Sequence, residues 1–188
     1  MKLSILIATL ESRRPAFDRL CAELQRQITD EVEVLFSRDR GQVSVGAKRQ
    51  SLIEQATGDF VCFVDDDDTI HPNYVGLILP HCVEGVDCIG FKVTVHGIAG
   101  RKNEAACVSN RYRKWEENKD GFRYVRPPHH LVPIRKEHAL RAGFTDKRHG
   151  EDSDYSMKLQ RLGLLKNERF IDEFMYTYWF NGHKKPGQ

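Results

Sequence analysis

Three short apolar runs in the first third of the chain constrain its fold most strongly. They occupy residues 3–8, 33–36 and 60–64. Two segments with apolar side chains at helical spacing, residues 15–29 and 44–56, separate these runs. Strands that alternate with helices over short connections build a parallel sheet covered by helices. We therefore predict an α/β fold with a mostly parallel central sheet flanked by helices.

The remaining residues extend this pattern, with one unclear stretch. Further elements are predicted as a helix over 74–79, a strand over 86–96, helices over 135–142 and 152–162, and a strand over 170–179. Residues 97–130 contain scattered glycines and charge clusters without a clear period, which suggests hairpins or a loop. A stretch of this length without regular structure often carries function.

Four consecutive carboxylates, Asp65–Asp68, follow the third apolar run directly. Adjacent anions repel one another, and a hydrophobic core has no use for them. A divalent cation would offset the repulsion, since carboxylates suit Mg²⁺, Mn²⁺ and Ca²⁺. In an open α/β sheet the carboxyl end of a strand is also where ligands bind. The alternative is an acidic cap for the helix near Pro72, but a cap needs only one aspartate.

Charge is distributed unevenly along the 188 residues, a length that fits one domain. Residues 1–100 contain 10 Lys and Arg against 15 Asp and Glu, whereas residues 101–188 contain 19 against 12. The basic second half suits an anionic ligand or acceptor, although scattered Lys and Arg are more often a solvated surface.

Cysteine usage and hydropathy give an expectation for the cell compartment. The five cysteines form an odd set without CxxC spacing, which is typical of reduced thiols. No apolar stretch is long enough to span a bilayer, and the start lacks the pattern of a signal peptide. We expect a soluble, cytoplasmic protein without a transmembrane segment.

Several motifs together resemble one enzyme family. They are the helix Val-Gly-Ala-Lys-Arg-Gln at 45–50, the aspartates at 65–68, Ala-Gly-Phe at 142–144 and His-Gly-Glu-Asp at 149–152. In this order they resemble a GT-A glycosyltransferase of the family 2 type, which is inverting and nucleotide-sugar-dependent. The resemblance covers about residues 3–80 well, with a weaker match over 131–183.

This resemblance implies one GT-A domain over residues 1–188. Residues 1–96 would form the nucleotide-sugar-binding half, and residues 97–188 the half with the acceptor site and catalytic base. The donor would be a UDP- or GDP-sugar and the cofactor Mn²⁺ or Mg²⁺. The acceptor stays open between a glycan, a lipid-linked sugar and a modified nucleic acid.

The resemblance also implies roles for single residues. Asp152 would be the catalytic base, with Glu151 beside it in the motif. Asp67 would ligate the metal directly, together with Asp65, which also lies near the ribose, and His183. Asp66 or Asp68 would assist Asp67. The implied cofactor-binding and donor-binding residues are Thr9, Asp39, Lys48, Arg49, Asp65, Asp66 and Gly143. Lys48 and Arg49 would contact the diphosphate, or alternatively are surface charges on a helix.

Other interpretations remain open at this stage. A sugar nucleotidyltransferase would need a glycine-rich loop after the first strand, and residues 10–14 contain no glycine. A non-catalytic GT-A scaffold that binds a nucleotide or glycan is the second rival. Tyr112 and Trp115 form either a platform for a sugar or base or a local small core. His129 and His130, in a proline-rich loop, could contact acceptor or donor.

Overall fold

Ten strands form one mixed sheet within residues 1–97 and 103–180, which the computed structural model describes. The strands are β1 Leu3–Leu10, β2 Val32–Asp39, β3 Phe60–Phe63, β4 Thr69–Ile70, β5 Cys88–His96, β6 Glu104–Val108, β7 Glu116–Lys119, β8 Phe122–Arg126, β9 Ile134–Arg135 and β10 Glu168–Trp179. The α-helices are α1 Arg14–Gln25, α2 Val45–Gln55, α3 Tyr74–Ile78, α4 Lys136–Ala142 and α5 Glu151–Arg161.

The sheet runs in the order β2-β1-β3-β9-β5-β6-β8-β7, and β10 pairs with β5 and β4. The ladders of β1 with β2, β1 with β3 and β5 with β10 are parallel, and they include the two longest in the sheet. Leu3, Ile5, Leu6 and Ile7 of β1 are fully buried, as expected for a strand covered on both faces. The predicted α/β fold with a mostly parallel central sheet flanked by helices is confirmed.

Helix α1 is shorter than predicted. Its apolar face, Phe17, Leu20 and Leu24, is buried as the spacing indicates. The helix ends at Gln25 rather than near residue 29, and Ile28 is 39% exposed. The side chain of Gln27 instead bonds to the segment around α3, because it donates to the carbonyl of His71 and accepts from the N–H of Val75.

The unclear stretch contains β6 and the antiparallel hairpin of β7 and β8. Asp120 and Gly121 connect the hairpin with φ of 52° and 81°. Positive φ at both positions is typical of the two-residue turn that suits a twisted hairpin. Tyr112 packs with Cys107 and Val125 in a small separate core. The small-core interpretation is therefore confirmed for Tyr112.

Two further observations concern the cysteines and the helices. All five cysteines are free thiols, and four of them are buried. Among residues 1–97 and 103–180, no helix combines the length and apolarity that a membrane crossing requires.

Gly46, near the start of α2, lies where a side chain would not fit. Its N–H donates to the carbonyl of Lys147, and an added Cβ would clash with the backbone carbonyl of Thr145. We expect Gly46→Ala to lower the free energy of unfolding by about 1–3 kcal/mol, the usual cost of overpacking, measured by urea denaturation. Gln55→Ala, at an exposed position of the same helix, should change it by less than about 0.5 kcal/mol. Equal effects of both changes would contradict the close packing at Gly46.

Candidate active site

The four aspartates after β3 lie in two environments. Asp66 and Asp68 are buried, whereas the side chains of Asp65 and Asp67 are 27% and 35% exposed. Asp68 accepts hydrogen bonds from the Tyr176 hydroxyl at 2.8 Å and from a backbone N–H of β10 at 2.9 Å. Burial raises the pKa of Asp68 well above its usual range. Asp68 thus connects the four aspartates to β10 through hydrogen bonds. Asp65 and Asp67 are the more accessible carboxylates.

Arg13 contacts two of these carboxylates. Its Nε lies 3.1 Å from Asp66 Oδ1, and its guanidinium also pairs with Asp67. The Thr9 hydroxyl donates to Asp66, so two predicted donor-binding residues, Thr9 and Asp66, are adjacent. Burial is the largest influence on Asp66 and raises its pKa.

The residues at this position fit a divalent cation. Carboxylate oxygens are the ligands that Mg²⁺ and Mn²⁺ prefer, and four carboxylates follow one another here. Asp67 has the most accessible carboxylate of the four, and Asp65 is the second predicted ligand. The third, His183, lies outside the described residues.

A buried arginine joins the aspartate run to the Glu-Asp motif. Arg49 Nη2 donates to Asp65 Oδ1 at 2.8 Å, and Nη1 donates to Glu151 Oε1 at 2.5 Å. The guanidinium carbon lies 5.5 Å and 5.8 Å from the ring centres of Phe63 and Phe144. Because the side chain of Arg49 is only 5% exposed, its interpretation as a surface charge is wrong.

His130 also contacts Asp65, because the segment before β9 runs antiparallel to β3. The Phe63 N–H donates to the His130 carbonyl at 2.8 Å, and His130 Nε2 lies 3.2 Å from Asp65 Oδ2. Burial lowers the pKa of His130, so the ring is neutral at pH 7. Burial also acts to raise the pKa of Asp65, but Arg49 and His130 outweigh it and lower that pKa.

The predicted base and the predicted donor aspartate line one cavity of about 370 Å³, which we call the main cavity. Asp65 and Arg49 border it on the side of the aspartate run, and Glu151 and Asp152 at the start of α5. The rest of its wall consists of Val93, Val95, Ala106, Val108, Trp115, Tyr124, Arg126, His129, His130, Leu131 and Tyr178. This arrangement suits a small polar substrate between Asp65 and Asp152.

Cationic side chains surround Asp152. Arg126 Nη2 donates to Asp152 Oδ2 at 3.3 Å. Burial acts to raise the pKa of Asp152, but nearby positive charge, including that of Arg126 and Arg49, outweighs burial and lowers that pKa. The carboxylate is therefore ionised at neutral pH, as a general base must be. His129, His130 and Asp152 place ligand atoms within 4.8 Å of one another, but the two nearby guanidiniums oppose a cation there.

A second, smaller cavity of about 240 Å³ lies at the carboxyl end of β1 and is bordered by Thr9 and Lys48. Beside it, Asp39 accepts from the N–H groups of Gly41 at 3.1 Å and Val43 at 2.7 Å. Asp39 also pairs with Lys48, which is the main reason that its pKa falls to about 2. Lys48 donates to the Thr9 carbonyl at 2.7 Å and is buried, so its interpretation as a surface charge is wrong as well.

Gly143 has a structural position in the described part of the chain. It ends α4 with φ of 59°, and its carbonyl accepts from Lys158 Nζ at 2.9 Å. The next N–H, of Phe144, donates to Gln50 Oε1 at 2.8 Å. Gly143 borders neither of the two cavities. Its predicted contact with the nucleotide stays a prediction.

Two residues of the site, Arg13 and Arg126, are absent from the predictions, and His130 was named only in general terms, as a contact of acceptor or donor. Each contacts a predicted residue that is distant in sequence, so local pattern could not assign the pairing. For His130 the sequence did offer a signal of function, because two histidines follow two prolines in a segment that would otherwise only connect two elements. For Arg13 the only signal was its position shortly after the first predicted strand. Arg126 lies in the stretch for which the sequence predicted no element.

Crystal structures of S. aureus TarS 1-349 are similar to this chain. One matches with a TM-score of 0.65 and 17% identity over 95% of this chain and 60% of that chain. The complex with UDP-GlcNAc matches with a TM-score of 0.67 and 16% identity over 98% of this chain and 60% of that chain. The complex with UDP matches with a TM-score of 0.65 and 16% identity over 96% of this chain and 61% of that chain. These likenesses show the shared GT-A fold. The chain thus spans about 60% of the length of these structures.

Sequence comparison gives a result at the level of the family. No curated protein matches the chain. The family model described as Glycosyl transferase family 2 matches residues 7–142, well over half of the 188 residues. That span contains Thr9, Lys48, Arg49 and the four aspartates. The chain therefore belongs to glycosyl transferase family 2.

Proposed function

We propose that this chain transfers a sugar from a nucleoside-diphosphate donor to an acceptor hydroxyl, with a divalent cation and with inversion at the anomeric carbon. The observation that carries the proposal is the main cavity, which Asp65 and Asp152 border together. Membership of the family supports the reaction class. The complexes of TarS with UDP-GlcNAc and UDP favour a UDP-sugar as the donor.

The placement of the carboxylates supports the following reaction. Asp152 accepts the proton of the acceptor hydroxyl while the oxygen attacks the anomeric carbon. The bond from that carbon to the diphosphate oxygen breaks, and the nucleoside diphosphate leaves with the electron pair. Attack from the side opposite the leaving group inverts the configuration. Arg126 donates to Asp152 and, together with the charge of Arg49, favours its ionised form.

A divalent cation held by Asp67 with Asp65 would stabilise the charge that develops on the leaving diphosphate. The ion pair of Asp39 with the buried Lys48 borders the place proposed for the nucleotide, next to the smaller cavity. Arg49 fixes Asp65 relative to Glu151 by donating to both carboxylates. These residues therefore order the donor side before the substrate arrives.

Nucleotide binding tests the donor side directly. With Mn²⁺ present, we expect UDP to bind the purified chain, and removal of the metal with EDTA to abolish the binding. Asp67→Asn should weaken Mn²⁺-dependent UDP binding by more than about tenfold, because it removes a charged oxygen ligand. Titration calorimetry measures the affinity, and release of UDP from UDP-sugars measures the activity.

Asp59→Asn is the matched control, since this exposed aspartate lies at the opposite end of β3. We expect unchanged binding for it. Metal-independent binding of UDP, or equal affinity in both variants, would contradict the proposed role of Asp67. Binding without release or transfer from any UDP- or GDP-sugar would contradict the enzymatic proposal.

A further inference from the structure

A second depression of about 410 Å³ adjoins the main cavity on the side of α5, and we call it the basic groove. Its charged side chains are Arg113, Lys114, Arg126 and Arg161. Trp115 and Arg126 border both the basic groove and the main cavity, so the two are continuous. No aspartate or glutamate of the described residues borders the groove.

The positive charge of the groove is largely uncompensated. Arg113 and Arg161 are exposed and form no ion pair within residues 1–97 and 103–180. Lys114 reaches a carboxylate only at 4.0 Å, at Glu116. Arg126 is the exception, because it contacts Asp152. Clustered cations without partners attract anions and raise their local concentration.

An exposed aromatic ring lies between the groove and the main cavity. The side chain of Trp115 is 54% exposed and stacks on Tyr124 with ring centres 5.7 Å apart. Because Tyr124 holds it from behind, the indole offers a fixed apolar face. Such a face suits the apolar side of a sugar ring. Trp115 therefore differs from Tyr112, which belongs to the small core.

We propose that the basic groove binds an acceptor glycan that carries negative charges, and that Trp115 stacks on the sugar ring next to Asp152. This inference rests on the proposed transfer reaction. Carboxylate or phosphate groups of the glycan would contact Arg113 and Arg161, whose guanidiniums match both anions with paired hydrogen bonds, and Lys114, whose ammonium adds a point charge. A single-stranded nucleic acid fits less well, because its binding sites stack successive bases on several aromatic rings.

The test compares two triple variants with equal loss of charge. The groove variant is Arg113→Ala, Lys114→Ala and Arg161→Ala. The control is Arg19→Ala, Lys166→Ala and Arg169→Ala, at exposed positions that do not border the groove. The probes are oligogalacturonate for the carboxylate, phosphorylated dextran for the phosphate and unmodified dextran as the neutral glycan. Tryptophan fluorescence measures the affinities.

We expect an anionic glycan to bind the native chain, and the groove variant to lose about 10–100-fold in affinity while the control changes less than twofold. Comparison of the two anionic probes shows which anion the groove takes. Equal losses in both variants, or equally tight binding of neutral dextran, would overturn the proposal. Tighter binding of an oligothymidylate through the same residues would replace the glycan by a nucleic acid.

Asp152→Asn separates this inference from the transfer reaction. If Asp152→Asn retains glycan binding that depends on the groove, while neither the native chain nor any variant transfers sugar, the groove proposal stands and the proposed function fails. If sugar is transferred to neutral acceptors at equal rates by the native chain and the groove variant, the function stands and the groove proposal fails. Thermal unfolding confirms that each variant is folded.

Discussion

Replacing Asp152 with Asn is expected to reduce the rate constant of sugar transfer by about 10²–10⁴-fold, the usual contribution of a general base. Asn has nearly the same shape and still accepts a hydrogen bond from Arg126, so the cavity should keep its form. Binding of UDP with Mn²⁺ should stay within about twofold of the native affinity, because the base does not hold the donor in this proposal. Release of UDP in the presence of acceptor measures the rate.

Asp154→Asn provides the matched control on the same turn of α5. Asp154 pairs with Lys147 Nζ at 2.5 Å and does not border the main cavity. We expect its transfer rate to stay within about twofold of native. If Asp152→Asn is no slower than this control, another group removes the proton. His130, whose ring also borders the cavity, would be the first to examine.

Arg49→Met should cause the largest loss of stability, about 3–5 kcal/mol of unfolding free energy. Arg49 bridges Glu151 and Asp65, and the side chains of Arg49 and Glu151 are only 5% and 8% exposed. Removal of the guanidinium leaves the Glu151 carboxylate buried without its partner. Methionine retains most of the apolar contact with Phe63 and Phe144, so the loss reports mainly on charge. Urea denaturation monitored by circular dichroism measures it.

Two further variants show whether the buried charge is the cause. The double variant Arg49→Met with Glu151→Gln should recover part of the loss, because no buried charge at residue 151 then lacks its partner. Lys147→Met breaks the more exposed pair with Asp154 and should cost less than about 1 kcal/mol. If Arg49→Met loses no more unfolding free energy than Lys147→Met, the Glu151 carboxylate either has another partner in the variant or is hydrated.

The sequence predicted the location of the site better than its contacts. Alternating apolar runs placed Asp65–Asp68 at the carboxyl end of β3, where the main cavity lies. The sequence could not show which of the four adjacent aspartates are buried, yet Asp66 and Asp68 are buried and bound to distant residues. Those partners lie 57 and 108 positions away in the chain. Contacts between residues so far apart in the chain depend on the order in which the strands pair in the sheet. The spacing of apolar residues does not determine that order.

The unclear stretch from 97 to 130 shows which local signals were available. The Asp120-Gly121 pair is a typical two-residue hairpin turn, and it connects β7 with β8. The strands themselves were harder to recognise, because β7 consists of Glu, Glu, Asn and Lys and has no apolar alternation. Among the residues that the structure describes, β7 pairs only with β8, at the end of the sheet. An edge strand of charged residues resists aggregation, but it is hard to identify as a strand.

The bond from Tyr176 to Asp68 has a consequence for biosynthesis. The tyrosine lies 108 positions after the aspartate, so at the usual speed of translation the ribosome makes it roughly 5–20 s later. During that interval the nascent polypeptide already contains its carboxylate cluster but not the hydroxyl that holds it. A chain interrupted within this interval could fold its first strands and would still lack the hydrogen bond that holds this carboxylate cluster.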